Sequence, residues 1–303
     1  MKNYNEFYFF ILVFIYSLII ITFNKFSKLK LKKFIINRKE EIDKIYNIVN
    51  NNIVNNNINT ELNTKHFWNE NIDTDIKDSI LKINNEILDT IGDEFKYVPS
   101  MTELYYSSKK NQNSDKQYVN IHADGPFYSC QLYRALIVIN GNKNINTHFT
   151  DENKTMNLQK YDVVLFDYNN EPHYIDTNND KPDDSQRIIL KLHYVKSNNN
   201  LCEKYHCEFG RETRHIFEIN KKNLYLSGII ARLSLYYNTH RKYILILILG
   251  LLCFYKKIKN KLTQSIIRGI LYLFSIIETL GILYVLHFNL LNNDVCKSKS
   301  KIQ

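Results

Sequence analysis

Three side chains in the middle of the sequence have the types and spacing of a metal site with open coordination positions. His122 and Asp124 lie two residues apart in the segment NIHADGPFY, so on a strand their side chains point to the same face. His173 follows an apolar strand and a turn, and a sheet that folds back can bring it beside the first pair. Two histidines and one carboxylate suit non-haem Fe(II), which then binds a co-substrate and O₂.

A fourth residue, Arg187, begins the last apolar strand, RIILKLHYV. Its guanidinium can bind a carboxylate with two parallel hydrogen bonds. Each residue alone also has an ordinary structural explanation: an ion pair for His122 and Asp124, a turn for His173, and a surface cation for Arg187. The occurrence of all four residues in this order favours a metal-binding site with a carboxylate-binding arginine over these separate explanations. His148 lies between the pair and His173 and is a rival metal ligand, ranked below His173.

The surrounding sequence predicts the elements that must position these residues. Isoleucines at spacings of three and four, from Ile76 to Ile91, predict an amphipathic helix over 74–95 that Thr74 caps and Gly92 ends. Turn-forming residues then separate short apolar segments, which predict strands. These strands cover 117–123, 132–140, 146–150, 162–168, 174–176 and 187–195. Six short strands with no helices between them favour an antiparallel sandwich or barrel over a parallel α/β sheet.

This order of motifs resembles the Fe(II)/2-oxoglutarate-dependent dioxygenase superfamily, and its prolyl-4-hydroxylase-like branch is the nearest. In that branch an H-x-D motif is followed by an Arg-containing strand ending in Asn, a Thr-x-Phe segment, an apolar strand, a distal His and a basic residue. The matching segments here are His122-Ala123-Asp124, RALIVIN over 134–140, Thr147-His148-Phe149, VVLF over 163–166, His173 and Arg187. The resemblance covers roughly residues 118–195 and does not reach the termini.

The resemblance implies a fold, a reaction and a set of site residues. The fold is a mainly β, double-stranded β-helix (jelly roll) with supporting helices. His122, Asp124 and His173 would bind Fe(II), Arg187 would bind the distal carboxylate of 2-oxoglutarate, and Tyr118 or Tyr133 would assist. The reaction couples the conversion of 2-oxoglutarate and O₂ to succinate and CO₂ with hydroxylation of a substrate C–H bond, and it allows ascorbate as an accessory cofactor.

The sequence departs from the family pattern at two places. The segment between His173 and Arg187 is longer than usual, with an insert over 178–184, and Ile145 and Asn146 replace the small residues that commonly precede Thr-x-Phe. The substrate class therefore stays open between a prolyl or other protein side chain and a lipid. The alternative functions are a non-catalytic, membrane-tethered β-barrel binding module and a structural membrane protein.

The two ends of the chain predict membrane attachment. The run over 7–23 has no charged residue, no small-residue cleavage site of a secretory signal follows it, and seven Lys or Arg lie over 24–39. By the positive-inside rule, these cations place the middle of the chain on the cytosolic side. The apolar run over 269–291 predicts a second span, and the shorter run over 243–255 a third candidate. The bilayer is thus an expected partner, with two or three transmembrane segments.

The composition of the chain argues against several other classes of protein. The net charge of +9 lies largely beside the apolar runs, and no nucleic-acid motif is present, so nucleic acid is not an expected partner. Five irregularly spaced cysteines do not form a disulfide scaffold, and Cys202-x₄-Cys207 lacks the usual zinc spacing. The predicted organisation is an anchor over 1–24, a linker or stalk over 25–65, a dioxygenase-like domain over 66–195, a connection over 196–242, membrane segments over 243–292 and a basic tail over 293–303.

Overall fold

The computed structural model describes residues 2–23, 28–55, 65–68, 72–107, 121–124, 131–177, 186–196, 224–255 and 257–290. The chain divides into two compact units. One contains the central β region, from residue 27 to residue 235 except for 127–129. The other is helical and contains residues 1–26, 127–129 and 236–303.

The β unit is mainly antiparallel and contains two sheets in its described residues. The strands are β1 Lys32–Ile35, β2 Lys65–Trp68, β3 Phe95–Tyr97, β4 Glu103–Ser107, β5 Leu132–Asn140, β6 Ile145–Phe149, β7 Lys154–Asn157, β8 Asp162–Asp167, β9 His173–Thr177 and β10 Arg187–Lys196. The larger, seven-stranded sheet has the order β1-β8-β5-β10-β4-β2, with β3 pairing to β10. The smaller sheet has the order β7-β6-β9. This jelly-roll-like arrangement confirms the predicted mainly β class with supporting helices.

Two helices cover the outer face of the larger sheet. They are α2, Lys39–Asn55, and α3, Thr74–Ile91. The isoleucine stripe of α3 is buried, as its spacing predicts, and packs with residues of β5 and β10 in one core. Asp73 caps the helix, one residue earlier than expected, and Gly92 ends it with a φ of 98° that favours glycine.

The segment expected to be a linker or stalk contributes two elements to the β unit. Strand β1 pairs antiparallel with β8, from Lys32 opposite Leu165 to Ile35 opposite Asp162. Helix α2 packs on α3, and its Ile42 and Ile45 are fully buried. The first predicted strand, 117–123, lies mostly outside the described residues, as do Tyr118, Cys202 and Cys207.

Side chains of β10 alternate between two cores, because successive residues of a strand point to opposite faces. The even-numbered Ile188, Leu190, Leu192 and Tyr194 pack in the core that contains α2 and α3. The odd-numbered residues face the smaller sheet, where Ile189 packs with Phe149, Phe166 and other apolar side chains. The strand is therefore buried on both faces, which explains its nearly continuous apolar sequence.

The helical unit corrects the membrane prediction. It contains α1, Lys2–Phe23, the larger part of α4, Leu224–Tyr255, and α5, Lys261–Leu290. Among the described residues, none of the helices has the combined length and apolarity to cross a bilayer. The uncharged run of α1 covers only 7–23, and ionisable residues such as Arg241 and Glu278 interrupt the other two. The prediction of two or three transmembrane segments is therefore wrong, and the cytosolic orientation and bilayer partner that depended on it lose their basis.

Apolar side chains of the three helices pack on one another instead. The buried cluster contains Phe10 and Val13 of α1, Leu245 and Leu252 of α4, and Leu271 of α5. Glu278 is also buried, and its carboxylate accepts hydrogen bonds from Ser17 and from Arg241, each at 2.7 Å. This pairing compensates the cost of burying the charge of Glu278.

Candidate metal centre

The structure brings together the three side chains that the sequence singled out. His122, Asp124 and His173 each offer one ligand atom, and these atoms lie within 4.8 Å of one another. Asp124 Oδ1 is 3.8 Å from His122 Nε2, and Asp124 Oδ2 is 3.4 Å from His173 Nε2. Two imidazoles and one carboxylate at these separations can hold a metal ion such as Fe(II).

Backbone pairing fixes the two histidines relative to each other. His122 and His173 form an antiparallel bridge, in which each backbone N–H donates to the other's carbonyl oxygen, at 3.1 and 2.9 Å. Their rings consequently lie 4.6 Å apart between centroids. Asp124, two residues after His122, reaches the same face. The tertiary fold thus converts an H-x-D motif and a distant histidine into one cluster.

The turn before β9 orients the His173 ring. Its Nδ1 lies 3.1 Å from the carbonyl oxygen of Glu171, which favours a proton on Nδ1 and leaves the Nε2 lone pair facing Asp124. Phe166 packs edge-on to the ring at 4.8 Å between centroids. Burial lowers the pKa of His173 to about 4, although the neighbouring Asp124 acts in the opposite direction. The imidazole is therefore neutral at pH 7, as a metal ligand must be.

Arg134 holds the carboxylate of the cluster. Its Nη1 donates to Asp124 Oδ2 at 2.6 Å, and its Nε donates to His193 Nε2 at 2.9 Å. The guanidinium also lies 4.7 Å from the ring centroid of Tyr168. Burial is the largest single effect and would raise the pKa of Asp124, but Arg134 and the other basic groups around the carboxylate together outweigh it, and the pKa falls to about 2. The carboxylate therefore remains ionised and fixed in position.

An open cavity lies beside the cluster, and all three cluster residues line it. Apolar side chains of both sheets, among them Leu136, Phe166, Ile175 and Ile189, form much of its wall. Its polar lining residues are the three cluster residues together with Tyr105, Arg134, Thr147, Arg187 and Lys191. Arg187, which the sequence assigned to binding a carboxylate, thus shares a cavity with the cluster.

The remaining candidates from the sequence lie elsewhere. Tyr133 does not line the cavity: it lies on the opposite face of β5 from Arg134, packs in the core with the helices, and donates to the carbonyl oxygen of Lys30 at 3.2 Å. His148 lies on the face of β6 opposite Thr147, and its Nε2 is 2.8 Å from Asp176 Oδ2. The structure therefore groups His173, and not His148, with the H-x-D pair.

Sequence reasoning missed three residues of the cavity region. Lys191 and Tyr105 line the cavity, and Glu103 pairs with Lys191 at 2.8 Å between Oε1 and Nζ. The alternation of side chains along β10 could have identified Lys191, because residues 187 and 191 of a strand lie on the same face. Strand β4, which supplies the other two, is buried along its whole length and lacks the alternation that marks a half-exposed strand.

No protein-family model and no curated protein sequence matches this chain. Comparison with solved structures finds the viral collagen prolyl hydroxylase of Paramecium Bursaria Chlorella virus-1 in its 2OG complex, at 12% identity and a TM-score of 0.37, covering 55% of this chain and 94% of that one. A Trichoplax adhaerens prolyl hydroxylase in complex with a hypoxia-inducible-factor peptide fragment gives the same identity and TM-score, over 55% of this chain and 84% of that one. HygX from Streptomyces hygroscopicus, with nickel and 2-oxoglutarate bound, has 9% identity and a TM-score of 0.36, over 55% and 82%.

At these identities and TM-scores, the three likenesses carry no argument about activity or substrate. The assignment of a function depends on the geometry of the chain's own residues. This chain is similar to prolyl hydroxylases and other Fe(II)/2-oxoglutarate-dependent oxygenases.

Proposed function

We propose that this protein is an Fe(II)/2-oxoglutarate-dependent dioxygenase that hydroxylates a C–H bond. The observation that carries the proposal is the grouping of His122, Asp124 and His173 within 4.8 Å, on the wall of a cavity that Arg187 also lines. Three facial ligands leave positions for the keto acid and for O₂. A guanidinium in the same cavity provides a partner for the second carboxylate of 2-oxoglutarate.

The residues of the chain have separate roles in this proposal. His122, Asp124 and His173 hold the iron, which supplies the oxidative chemistry when bound. Arg134 keeps the Asp124 carboxylate ionised and occupies its Oδ2 atom, so that Oδ1 faces His122. Phe166 and Ile189 form an apolar part of the cavity wall, and an apolar wall lowers the local dielectric constant and strengthens nearby electrostatic contacts.

The balanced reaction consumes one 2-oxoglutarate, one O₂ and one substrate C–H bond. It yields succinate, CO₂ and the hydroxylated substrate, with one oxygen atom in each of the two oxidised products. The prolyl-4-hydroxylase-like motif order makes a prolyl or other protein side chain the first substrate class to test.

The direct test measures succinate release by the full chain with Fe(II), 2-oxoglutarate and ascorbate, over a panel of proline-containing peptides. We expect turnover by the wild type and loss of turnover in His122→Ala. The matched control is His148→Ala, which removes a histidine from the opposite face of β6 and should retain activity. Absence of succinate and of iron binding in the wild type would contradict the proposal. Iron binding without any turnover would favour a non-catalytic binding module.

A further inference from the structure

Helix α5 of the helical unit is apolar on two faces. Its inner face packs in the buried cluster of that unit through Ile267, Leu271 and Phe274. Its outer face carries five large apolar side chains that are between 54% and 71% exposed, namely Leu262, Ile266, Leu273, Ile276 and Leu280. A helix that is apolar all round is normally covered all round. The outer face of α5 therefore has the sequence of a contact surface.

The exposed side chains follow the spacing of helices that pack in pairs. Together with Gly269, they recur at intervals of four, three, four, three and four residues, and these six positions are called the α5 seam. Alternating intervals of four and three place side chains along one line of a helix, where a second helix can pack. The seam rises roughly 27 Å from residue 262 to residue 280. A Cβ atom at Gly269 would meet nothing within 4 Å apart from its own stretch of helix.

The surface around the α5 seam has the size that a stable interface needs. Three further apolar side chains flank the seam at 38% to 42% exposure, namely Ile270, Tyr272 and Ile277. With them, the seam offers roughly 800 Å² of apolar surface per copy, which is the share of one partner in a standard protein interface. The largest apolar patch of a typical monomer is only about 300–600 Å².

The charges around the α5 seam favour a second copy of this chain as the occupant. Two identical helices bring the same kinds of side chain together, so a run of one charge beside the seam would repel the copy. None of the six flanking positions is charged, and they hold Thr263, Ser265, Ile270, Tyr272, Ile277 and Thr279. Because the whole chain has a net charge of +9, copies meet with least repulsion at such an uncharged surface.

The outward face of α4 is less suited to a second copy. Its exposed apolar side chains, such as Leu247 and Phe254, lie over the shorter range 243–254. Lys242 and Lys257 are exposed at the two ends of this range, so two copies would bring cations together in either orientation. The α5 seam has a lysine, Lys261, directly beside its start. Antiparallel copies of α5 keep the two Lys261 side chains at opposite ends.

We propose that the α5 seam is an interface between two copies of this chain, in which the α5 helices pack antiparallel about residue 271. This register brings position 262 of one copy opposite 280 of the other, 266 opposite 276, and 269 opposite 273. Leu273 then packs over the open position at Gly269 of the partner subunit. The helical unit is thus a dimerisation element, and the metal centre belongs to the other unit.

Sedimentation equilibrium of the full chain, over a range of concentrations, measures the association. We expect a dimer for the wild type. Leu273→Lys should raise the dissociation constant by at least about 100-fold, because each copy would bury an unpaired charge. Leu247→Lys is the matched control, since Leu247 is 60% exposed and Leu273 is 61% exposed, but Leu247 lies on α4. The control should associate like the wild type, and both variants should keep wild-type affinity for Mn²⁺.

Two double variants test the register. Ile266→Lys/Ile276→Lys sets cations opposite each other and should be monomeric. Ile266→Lys/Ile276→Glu should regain much of the dimer, because each lysine then faces a glutamate of the partner subunit. Both side chains are more than half exposed in the single chain, so neither change should disturb its fold.

A wild type that sediments as a monomer, or a dimer that persists in Leu273→Lys, would overturn the proposal. Equal dissociation constants in the two double variants would overturn the antiparallel register. A monomeric wild type that sediments with phosphatidylcholine vesicles, and a Leu273→Lys variant that does not, would show that a lipid surface covers the seam instead of a second copy. Each of these results leaves the dioxygenase proposal standing, because succinate release tests it separately.

Discussion

Arg134 Nη1 lies 2.6 Å from Asp124 Oδ2, so the carboxylate of the candidate metal centre is held by a guanidinium on the central strand β5. The same guanidinium is fixed by a hydrogen bond to His193 and by the ring of Tyr168. A charge held from three sides orients its partner more strictly than a solvent-exposed pair could. Arg134 is thus a positioning residue for the ligand set.

Arg134→Met should weaken metal binding, because Asp124 loses the partner that keeps it ionised and oriented. Loss of an outer partner of a metal ligand commonly costs about 10- to 100-fold in affinity. Mn²⁺ titration of the metal-free full chain, followed by electron paramagnetic resonance, measures the change. Arg187→Met is the matched control, since it removes the same charge from the same cavity. Equal Mn²⁺ affinities in the two variants would contradict a special role for Arg134.

The metal-free chain should lose stability on acidification through the titration of His173. Burial holds the pKa of His173 at about 4, against a usual value of 6.5, while Asp124, His122 and Arg134 surround it. Because the unfolded chain binds the proton more readily, stability is present above pH 6.5 and is lost as the pH falls toward 4. The loss is on the order of 3 kcal/mol.

Urea unfolding at a series of pH values, with a chelator present, measures this dependence. The variant His173→Asn lacks the titrating group, so its stability should change less between pH 6.5 and 4. His148→Asn serves as the control, because His148 lies on the face of β6 that points away from the cavity, opposite Thr147. An unchanged slope in His173→Asn would show that other groups produce the acid sensitivity.

Lys28→Met should disturb the turn that carries His173. Lys28 Nζ forms ion pairs with Glu171 at 2.5 Å and Asp151 at 2.9 Å, and Glu171 is buried. The backbone carbonyl of Glu171 is also the group that orients His173 Nδ1. Removal of the lysine leaves a buried carboxylate unpaired, at a cost of about 1–3 kcal/mol.

Urea unfolding and Mn²⁺ titration together test this connection. We expect Lys28→Met to lower both stability and metal affinity. Lys33→Met provides the comparison, because it breaks an ion pair of similar length, with Asp162 at 2.9 Å, outside the turn that carries His173. It should lower stability while leaving metal affinity close to that of the wild type. A parallel fall in metal affinity in both variants would mean that the effect is only global destabilisation.

The two tyrosines beside the cavity strands should behave differently. Tyr105→Leu removes the ring that contacts Lys191 and Arg187, so 2-oxoglutarate should bind more weakly to the Mn²⁺-loaded chain. Tyr133→Phe removes only a hydroxyl that donates to Lys30 on the helix-facing side, so its affinity should match the wild type. Calorimetry distinguishes the two. A larger loss of 2-oxoglutarate affinity in Tyr133→Phe than in Tyr105→Leu would indicate that Tyr133 contributes to the co-substrate site.

The local pattern predicted much of the β unit. The range 132–140 matches β5, and the predicted strands 162–168 and 187–195 differ from β8 and β10 by one residue. These strands have continuous apolar sequences bounded by turn residues, so propensity and burial agree. Strands β1, β2, β3 and β4 escaped prediction because they are short and acquire their role only through pairing with distant segments. Strand β7, which has only four residues, escaped prediction as well.

The sequence by itself determined the donor types and their order: an H-x-D motif, a later histidine and an arginine at the start of the last strand. Only the tertiary structure decided which histidine joins the pair, because the bridge between His122 and His173 forms across a long sequence separation. The tertiary structure also places the Tyr133 side chain on the face of β5 that packs against the helices, and the Lys191 side chain on the face of β10 that lines the cavity. Face and contact depend on register between strands, which no single segment encodes.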